Sequence, residues 1–175
     1  VVLIEESMAA AIGAGLDVAA PRGSMVADIG GGTTDVAVMS LKGVAASLSV
    51  RVGGDDLDGA IIRYLHNKYN HVVGRLTAEQ VKMRIGCALE QEDDPSMPVK
   101  GRNAVTGLPC VQQVRSSEIR EAIREPLEQM VAAIQQVMEK TPPELTGDIL
   151  DSGIVLTGGA AQLNGLAELL TRRTG

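Results

Sequence analysis

The 175-residue sequence contains almost no aromatic side chains. Phe and Trp are absent, and Tyr64 and Tyr69 are the two tyrosines, yet hydrophobic residues make up 45% of the chain. A hydrophobic core must therefore be built from Leu, Ile, Val, Ala and seven Met. The length is typical of one domain and leaves room for a second, small lobe.

A basic surface is also lacking. The formal net charge is −6, and Lys and Arg do not gather in a stripe. Because phosphate backbones are bound by clustered cations, the sequence argues against a nucleic-acid partner. No apolar run approaches the roughly 20 residues of a membrane span, and no signal peptide is recognisable.

Cysteine and histidine are scarce. Cys87 and Cys110 form no C-x-x-C pair, so we expect two reduced thiols, buried or half-buried, in a cytosolic protein. His66 and His71 are five residues apart and would not share a helix face. We therefore expect them at a solvated helix end rather than in a metal site.

Both ends of the sequence look cut. Residues 1–4 have the composition of a buried strand, but no turn and no initiator Met precede them. Residues 171–175 stop just past a predicted helix. We therefore expect a fragment of a longer protein.

The first third of the chain is predicted to be rich in strands. An Ala-rich helix ending at glycine comes first, at residues 5–15. Three strands follow, at residues 24–29, 33–41 and 44–52. Because the connections between them are short, they predict an antiparallel meander.

From Gly53 onwards the apolar spacing is typical of helices. One helix follows Gly53, and a second is predicted to start at Thr77, which forms a capping-box pattern with Gln80. An acidic stretch with two prolines, residues 90–98, predicts a loop. A small hairpin is expected beyond it, with strands at residues 99–105 and 111–114.

The last third predicts helices around one strand. Ser117 is expected to cap a short helix, and Pro126 suits the first turn of a second one. The predicted elements are helices at residues 117–124 and 126–140, a buried strand at 153–157 and a helix from about 162. This order favours an α/β domain with a small α+β insertion between about residues 53 and 116.

The sharpest motif is Asp28-Ile29-Gly30-Gly31-Gly32-Thr33-Thr34-Asp35, between two predicted strands. Three glycines in a row let a phosphate chain approach the backbone N–H groups closely. Asp28 is placed to hold Mg²⁺ through water, because hard cations prefer oxygen ligands. Thr33 and Thr34 add hydroxyl donors. The alternative is an ordinary hairpin turn, although three glycines exceed what a two-residue turn needs.

Two other glycine pairs are candidate ligand contacts. Gly158-Gly159 ends a predicted strand before a helix, where flat ligands bind in α/β sheets. Many strand-to-helix turns use the same pair. Gly53-Gly54-Asp55 is the third motif, and there Asp55 is equally well explained as a helix N-cap.

Together these motifs resemble the actin-fold ATPases. Residues 28–35 are similar to the second phosphate loop of the actin, Hsp70 and sugar-kinase superfamily, and residues 154–159 look like its adenosine motif. Residues 5–15 resemble the interlobe helix of MreB-type bacterial actins. Further matches run through nearly the whole chain, at residues 51–55, 100–103, 105–109 and 141–145. The chain is identified as the C-terminal half of an MreB-type bacterial actin homologue.

The resemblance implies a ribonuclease H-like, actin-like ATPase domain with an inserted subdomain. Residues 5–52 with 116–175 would form subdomain IIA, and residues 53–115 would form subdomain IIB. Two departures from the family pattern stand out. The family usually has Pro where Ser7 stands and a third Gly where Ala160 stands.

The resemblance also implies roles for individual residues. Glu6 and Thr33 would be catalytic by placing the attacking water, and Asp28 would reach the hydration shell of Mg²⁺. Glu79 and Lys82 would flank the ribose and adenine, although a solvated helix face explains them equally well. The implied ATP contacts are Gly30, Gly31, Gly32, Thr33, Thr34, Gly53, Gly54, Asp55, Glu79, Lys82, Gly158 and Gly159.

The function implied by the resemblance is that of a filament protein. The intact protein would bind Mg-ATP, polymerise head-to-tail and hydrolyse ATP slowly, whereas the chain alone would be inactive. It would act in the cytoplasm, at the inner face of the cell membrane, organising cell-wall synthesis and maintaining rod shape. Its partners would be itself, cell-wall elongation proteins and membrane-anchored scaffold proteins.

Parts of that function would lie outside the chain. The resemblance puts the first phosphate loop and the membrane-contacting loop in the half that is missing here. The alternatives are an Hsp70-like chaperone or a sugar-kinase-type ATPase of the same fold. A third is an interaction domain that does not polymerise and has lost its nucleotide.

Overall fold

The computed structural model describes residues 3–175. In chain order the helices are α1 (Glu6–Gly13), α2 (Gly54–Tyr69), α3 (Arg75–Ile85), α4 (Ser116–Lys140), α5 (Pro143–Ser152) and α6 (Leu166–Thr174). The strands are β1 (Ser24–Ile29), β2 (Thr34–Ser40), β3 (Gly43–Val50), β4 (His71–Val72), β5 (Ser96–Asn103), β6 (Pro109–Arg115) and β7 (Ile154–Thr157). A short 3₁₀ turn, Ala160–Gln162, follows β7.

The chain divides into two compact units. The first comprises the described residues up to 54 together with residues 129–161 and 170–175, and the second comprises residues 55–128 and 162–169. The assignment of residues 5–52 with 116–175 to one subdomain, and of 53–115 to another, stays a prediction.

The first unit is built on a four-stranded sheet in the order β3-β2-β1-β7. β1, β2 and β3 pair antiparallel, which confirms the predicted meander, and β7 pairs parallel to β1. Met25, Val26 and Ala27 are all buried, so both faces of the central strand β1 are covered. The edge strand β3 alternates exposed and half-buried residues, as expected when one face is solvated.

Helix α1 covers one face of this sheet. Ala11 on α1 packs with Val26, Ala37 and Met39, and the partly buried Met8 lies against the same cluster. The small alanine side chains let the helix approach the strands closely, so the core forms without aromatic residues. The predicted helix at residues 5–15 is thus confirmed, with slightly narrower bounds.

The second unit combines helices with the three-stranded sheet β4-β5-β6. The predicted hairpin is β5 paired antiparallel with β6, and the two-residue strand β4 adds to its other edge. Helix α3 packs on β5. The core is supplied by apolar residues at helical spacing on α2 and α3 and by one residue of each hairpin strand: Leu57, Ile61, Leu65, Val81, Ile85, Val99 and Val114.

Two predictions near element starts are wrong or untestable. Val1 and Val2 lie outside the described residues, and Leu3 and Ile4 are exposed and do not form the predicted strand. Thr77 is not an N-cap, because α3 begins two residues earlier, at Arg75, with Gly74 in the N-cap position. Glycine is tolerated there, and this explains why the capping-box pattern misled.

The predicted break at Pro126 is also wrong. Residues 116–140 form one helix with Pro126 inside it. A proline in a helix interior costs about 3 kcal/mol, because it removes a hydrogen bond and crowds the preceding turn. The buried row Ile119, Ile123, Leu127, Met130, Ile134 and Val137 continues at helical spacing past the proline. Burial of this row offsets the cost of the proline.

The region after Pro142 holds an element that the sequence did not predict. Helix α5 begins at Pro143 and packs against β1. β7 is half-buried along its length rather than buried, because it is an edge strand. α6 begins at Leu166, with the 3₁₀ turn where the helix was expected to start.

His71 contradicts its predicted position. His66 is exposed on α2, as expected, but His71 is only 2% exposed and lies in β4.

Both cysteines are free; Cys87 is buried and Cys110 is half-buried, as predicted. None of the helices within residues 3–175 combines the length and apolar composition that a membrane span requires.

Candidate functional site

The glycine loop between β1 and β2 closes as a tight turn. The N–H of Gly30 donates to the carbonyl of Thr33 at 2.9 Å. Gly31 and Gly32 are exposed at the tip of the loop, and Thr33 is half-buried. A Cβ added to Gly32 would meet nothing within 4 Å, so the space around the loop tip is open. An anion can approach the backbone at this tip.

Gly53 and Gly54 pack against the backbone of this loop. Both residues are buried, and the N–H of Gly54 donates to the carbonyl of Gly30 at 2.9 Å. A Cβ on Gly53 would lie 2.4 Å from the carbonyl oxygen of Gly31, so only glycine fits there. The structure therefore gives these glycines a role in holding the loop; direct contact with a nucleotide stays a prediction.

Thr34 differs from the expectation that it donates to a phosphate. Its side chain is fully buried, and its hydroxyl donates to the carbonyl of Val52 at 2.8 Å. A buried hydroxyl that donates its hydrogen to a backbone carbonyl cannot also donate it to a ligand. Thr34 therefore joins the start of β2 to the segment that follows β3, and Thr33 is the half-buried member of the pair.

The two glycine motifs of the first unit meet at one edge of its sheet. β1 and β7 run parallel, with Asp28 opposite Thr157, so both strands end side by side. Gly158 has φ +87°, and a Cβ there would lie 2.3 Å from the carbonyl oxygen of Ile29 and 2.7 Å from Oδ1 of Asp28. The backbone at Gly158 thus packs directly against the end of β1. Gly159 is exposed, with nothing within 4 Å of an added Cβ.

Three oxygen-bearing side chains share a face at this edge. Asp28 lies opposite Asp35 across β1 and β2, and opposite Thr157 across β1 and β7. Side chains that face each other across paired strands lie on the same side of the sheet. Asp28 and Asp35 are both half-buried. Asp35 and Thr157 were not among the predicted site residues.

Thr157 has an unusual polar atom. Its Oγ1 is buried and has no hydrogen-bond partner. Such a group costs about 1–3 kcal/mol and indicates a place that water or a ligand completes. The sequence feature that could have identified Thr157 as a site residue is its position, immediately before the Gly158-Gly159 pair at the end of a strand.

The acidic groups suit a cation held through water. Within the described residues, no three His, Cys, Asp or Glu side chains form a direct metal-binding cluster. Mg²⁺ commonly keeps several waters and uses one or two carboxylates. A single carboxylate such as Asp28 beside open backbone therefore fits an indirectly held Mg²⁺ better than a protein-only cage.

Glu6 is the first residue of α1 and is exposed. The helix is fixed to the sheet by its buried side, where Ala11 packs, and Ser7 is buried at its first turn. The helix therefore starts at Glu6 with Ser7 packed inward, and the carboxylate of Glu6 is at the surface.

The remaining predicted contacts, Asp55, Glu79 and Lys82, belong to the second unit. Asp55 is exposed and pairs with Arg75 at 3.1 Å. Glu79 is exposed on α3. The ammonium of Lys82 lies 2.8 Å from Oδ1 of Asp58. Contacts of Glu79 and Lys82 with ribose and adenine stay a prediction.

Asp58 was not anticipated as the partner of Lys82. Its side chain is 7% exposed and that of Lys82 is 13% exposed. Burial raises the pKa of Asp58 above its usual value, and the hydrogen bond from Lys82 opposes that shift. Lys82 is therefore the ion-pair partner of a buried carboxyl group of the second unit.

The solved structures to which this chain is similar define its fold class. The chain is similar to the crystal structure of MreB 5 of Spiroplasma citri bound to AMPPNP, with a TM-score of 0.91 and 36% identity over 97% of this chain and 51% of that one. The same protein bound to ADP gives a TM-score of 0.93. The MamK double helical filament, at 21% identity and a TM-score of 0.70, shares the fold. The fold is that of an actin-like α/β protein, as predicted.

Sequence comparison identifies the family within this class. The family model described as MreB/Mbl protein matches residues 1–175. The chain is 51% identical to the cell shape-determining protein MreB of Escherichia coli K12 over all 175 residues, which is 50% of that relative. It is 44% identical to the cell shape-determining protein Mbl of Bacillus subtilis 168 over 170 residues. The chain belongs to the MreB/Mbl family and spans about half the length of these relatives.

Proposed function

We propose that this chain supplies phosphate-binding and base-binding loops to a nucleotide-dependent filament protein that determines cell shape. The observation that carries the proposal is the meeting of the Gly30–Gly32 and Gly158–Gly159 loops at one sheet edge, beside Asp28. Family membership supports it, because relatives of this chain are named cell shape-determining proteins. Relatives at 36% identity are described as bound to AMPPNP and ADP.

In this proposal the loop between β1 and β2 binds the β- and γ-phosphates of ATP. Gly31 and Gly32 present exposed backbone, and the half-buried Thr33 adds a hydroxyl. Gly53 and Gly54 hold the loop rigid from below, so its donors keep their positions when the ligand leaves. Preorganised donors bind a phosphate without a further ordering cost. Gly158 and Gly159 lie beneath the base.

Asp28 holds Mg²⁺ through water in the same proposal. The ion supplies charge that neutralises the phosphates when it is bound. Asp28 orients the ion's waters, and the unpartnered hydroxyl of Thr157 accepts or donates within the same water layer. Outer contacts of this kind commonly change metal affinity 10–100-fold.

Glu6 and Thr33 act on the attacking water. A carboxylate accepts a hydrogen bond from water and can draw off its proton. Thr33 fixes the position of the same water from the phosphate loop. Hydrolysis is slow and is a property of the whole protein, while the chain alone is inactive because half of the phosphate contacts lie elsewhere.

The filament and its setting are part of the proposal. The whole protein polymerises head-to-tail, at the inner face of the cell membrane, and contacts cell-wall elongation and membrane-anchored scaffold proteins. The membrane contact itself belongs to the other half. The chaperone and sugar-kinase alternatives are not favoured, because the family match covers the complete chain.

The substitution Asp28→Asn in the full-length protein tests the site. We expect wild-type ATP affinity to be higher with Mg²⁺ than with a chelator present, and Asp28→Asn to weaken Mg-ATP binding by about 10-fold. Without Mg²⁺ the variant should bind ATP like the wild type, because the amide removes only the group that holds the ion's waters. Titration calorimetry measures the ATP affinity of the wild type and of Asp28→Asn, each with Mg²⁺ and with a chelator.

A matched control is Asp151→Asn, the same change at an exposed aspartate of α5. It should leave every affinity unchanged, because Asp151 is not part of the strand edge. Equal Mg²⁺ dependence in wild type and Asp28→Asn would refute the role given to Asp28.

A further inference from the structure

A histidine and a cysteine lie in contact on the buried face of the second unit's sheet. Nδ1 of His71, on β4, is 3.1 Å from Sγ of Cys110, on β6. The strand between them, β5, carries Gly101 directly opposite Cys110. A Cβ on Gly101 would lie 2.7 Å from Nε2 of His71 and 2.8 Å from its Cε1. The missing side chain is what allows the imidazole to cross β5 and reach the thiol.

The second ring nitrogen fixes the protonation of the imidazole. Nε2 of His71 lies 3.1 Å from the carbonyl oxygen of Val99. A carbonyl can only accept, so Nε2 must carry a hydrogen, and the neutral ring presents a lone pair at Nδ1. That lone pair faces the thiol. The arrangement of nucleophile, base and orienting group is the one that activates cysteine nucleophiles.

Among the residues on this face of the sheet, His71 is the base in contact with the thiol. Residues on the same face of the sheet are uncharged: Met97, Val99, Gly101, Asn103, Cys110, Gln112 and Val114. His71 is 2% exposed. Cys110 is half-buried, one residue into β6, which is an edge strand. The thiol is therefore in contact with His71 and belongs to a side chain that is half-buried rather than enclosed.

We propose that Cys110 is a thiol nucleophile, activated by His71, that undergoes exchange with low-molecular-weight disulfides. The thiol proton moves to Nδ1 of His71, and the thiolate attacks one sulfur of the disulfide RS–SR. The new Sγ–S bond forms as the S–S bond breaks, and the departing thiolate takes the proton from His71. The products are the mixed disulfide of Cys110 and one RSH. This modification site is independent of the nucleotide loops.

The rate of reaction with 2-hydroxyethyl disulfide, a small neutral probe, tests the proposal at pH 6. An ordinary thiol is less than about one per cent thiolate at that pH. We expect Cys110 in the folded protein to react about tenfold faster than the cysteine of a free peptide with the sequence of residues 106–115, because the imidazole in contact with the thiol takes up its proton as the sulfur attacks. Mass spectrometry of the digested protein follows each cysteine separately.

Two variants assign the effect to His71. His71→Asn should lower the rate at Cys110 to that of the peptide or below, and His66→Asn, at an exposed position on α2, should not change it. Cys87 is 3% exposed and reports on unfolding, because it reacts only if the unit opens. The proposal is overturned if wild-type Cys110 reacts no faster than the peptide, a comparison that needs no variant. It is also overturned if His71→Asn keeps the full rate while Cys87 stays protected.

Discussion

At the scale of single residues, the contact of Gly158 with the end of β1 depends on a missing side chain. The residue has a positive φ, and a Cβ would overlap the carbonyl of Ile29. Its neighbour Gly159 is exposed and has open space around it. The sequence shows two equivalent glycines, whereas the structure gives them different physical requirements.

Gly158→Ala should therefore be far more damaging than Gly159→Ala. We expect Gly158→Ala to lower the free energy of unfolding by about 2 kcal/mol or more, through backbone strain and overlap. Gly159→Ala should change it by less than about 0.5 kcal/mol. Urea unfolding of both variants measures this difference. Equal stability of the two would contradict the close approach of the β1 and β7 ends.

Adjacent residues in the glycine loop show what the sequence could reveal. The motif at residues 28–35 and its place between two strands were predicted correctly. The inward direction of the Thr34 side chain was not predicted, although Thr34 is two residues before Val36 and four before Val38, which are both buried. The alternation of side-chain direction along a strand therefore indicates that Thr34 points inward with Val36 and Val38. Thr157 was missed because a strand-ending threonine has no distinctive pattern until its parallel neighbour is known.

Among the elements of the second unit, a half-buried carboxylate joins α2 to α4. Glu118 on α4 accepts hydrogen bonds from Lys68, at 2.8 Å, from the hydroxyl of Tyr69, and from the backbone N–H of Arg115, at 2.9 Å. Its side chain is 11% exposed. Burial alone would raise the pKa of Glu118, but these hydrogen bonds outweigh burial and hold the pKa below its usual value.

Glu118→Gln should destabilise the protein at neutral pH and much less in acid. A carboxylate with a lowered pKa stabilises the folded state above its ordinary pKa of 4.5 and loses that effect as pH falls through the folded value. We expect a loss of about 2 kcal/mol at pH 7 for the charge-assisted hydrogen bonds. The difference from wild type should shrink towards pH 3. Urea unfolding across this pH range measures it.

Glu121→Gln is the matched control on the same helix. Glu121 is exposed and accepts one hydrogen bond, from Tyr64 at 2.8 Å. Its loss should cost less than about 1 kcal/mol at any pH, because exposed polar contacts contribute little. If both substitutions lower the free energy of unfolding by the same amount at pH 7, Glu118 has no larger stabilising role than the exposed Glu121.

The elements divide into those with local signals and those decided by packing. Strands β1 to β3 and helix α2 follow from alternation, turn residues and apolar spacing. The continuity of α4 through Pro126 depends on a buried row of side chains whose burial outweighs the local cost of the proline. Helix α5 begins at Pro143, the second residue of a proline pair, and packs against β1. β4, with two residues, is defined by its pairing to β5 alone.

At the scale of the whole molecule, the fold class was predictable because the diagnostic motifs lie at strand ends. An actin-like fold places its ligand loops there, and three separated glycine motifs in the expected order are hard to explain otherwise. The second unit's His71–Cys110 contact was not predictable, since β4, β5 and β6 bring together residues 39 positions apart. Long-range pairing of this kind leaves no periodic signal.

The central claim is that this chain is part of a filament protein whose assembly responds to ATP. The most direct measurement is sedimentation of the full-length protein with Mg-ATP, with Mg²⁺ alone and with nucleotide plus a chelator. We predict a pellet with Mg-ATP and soluble protein in the other two conditions. A protein that binds ATP with the expected Mg²⁺ dependence yet stays in the supernatant at every concentration would contradict the claim.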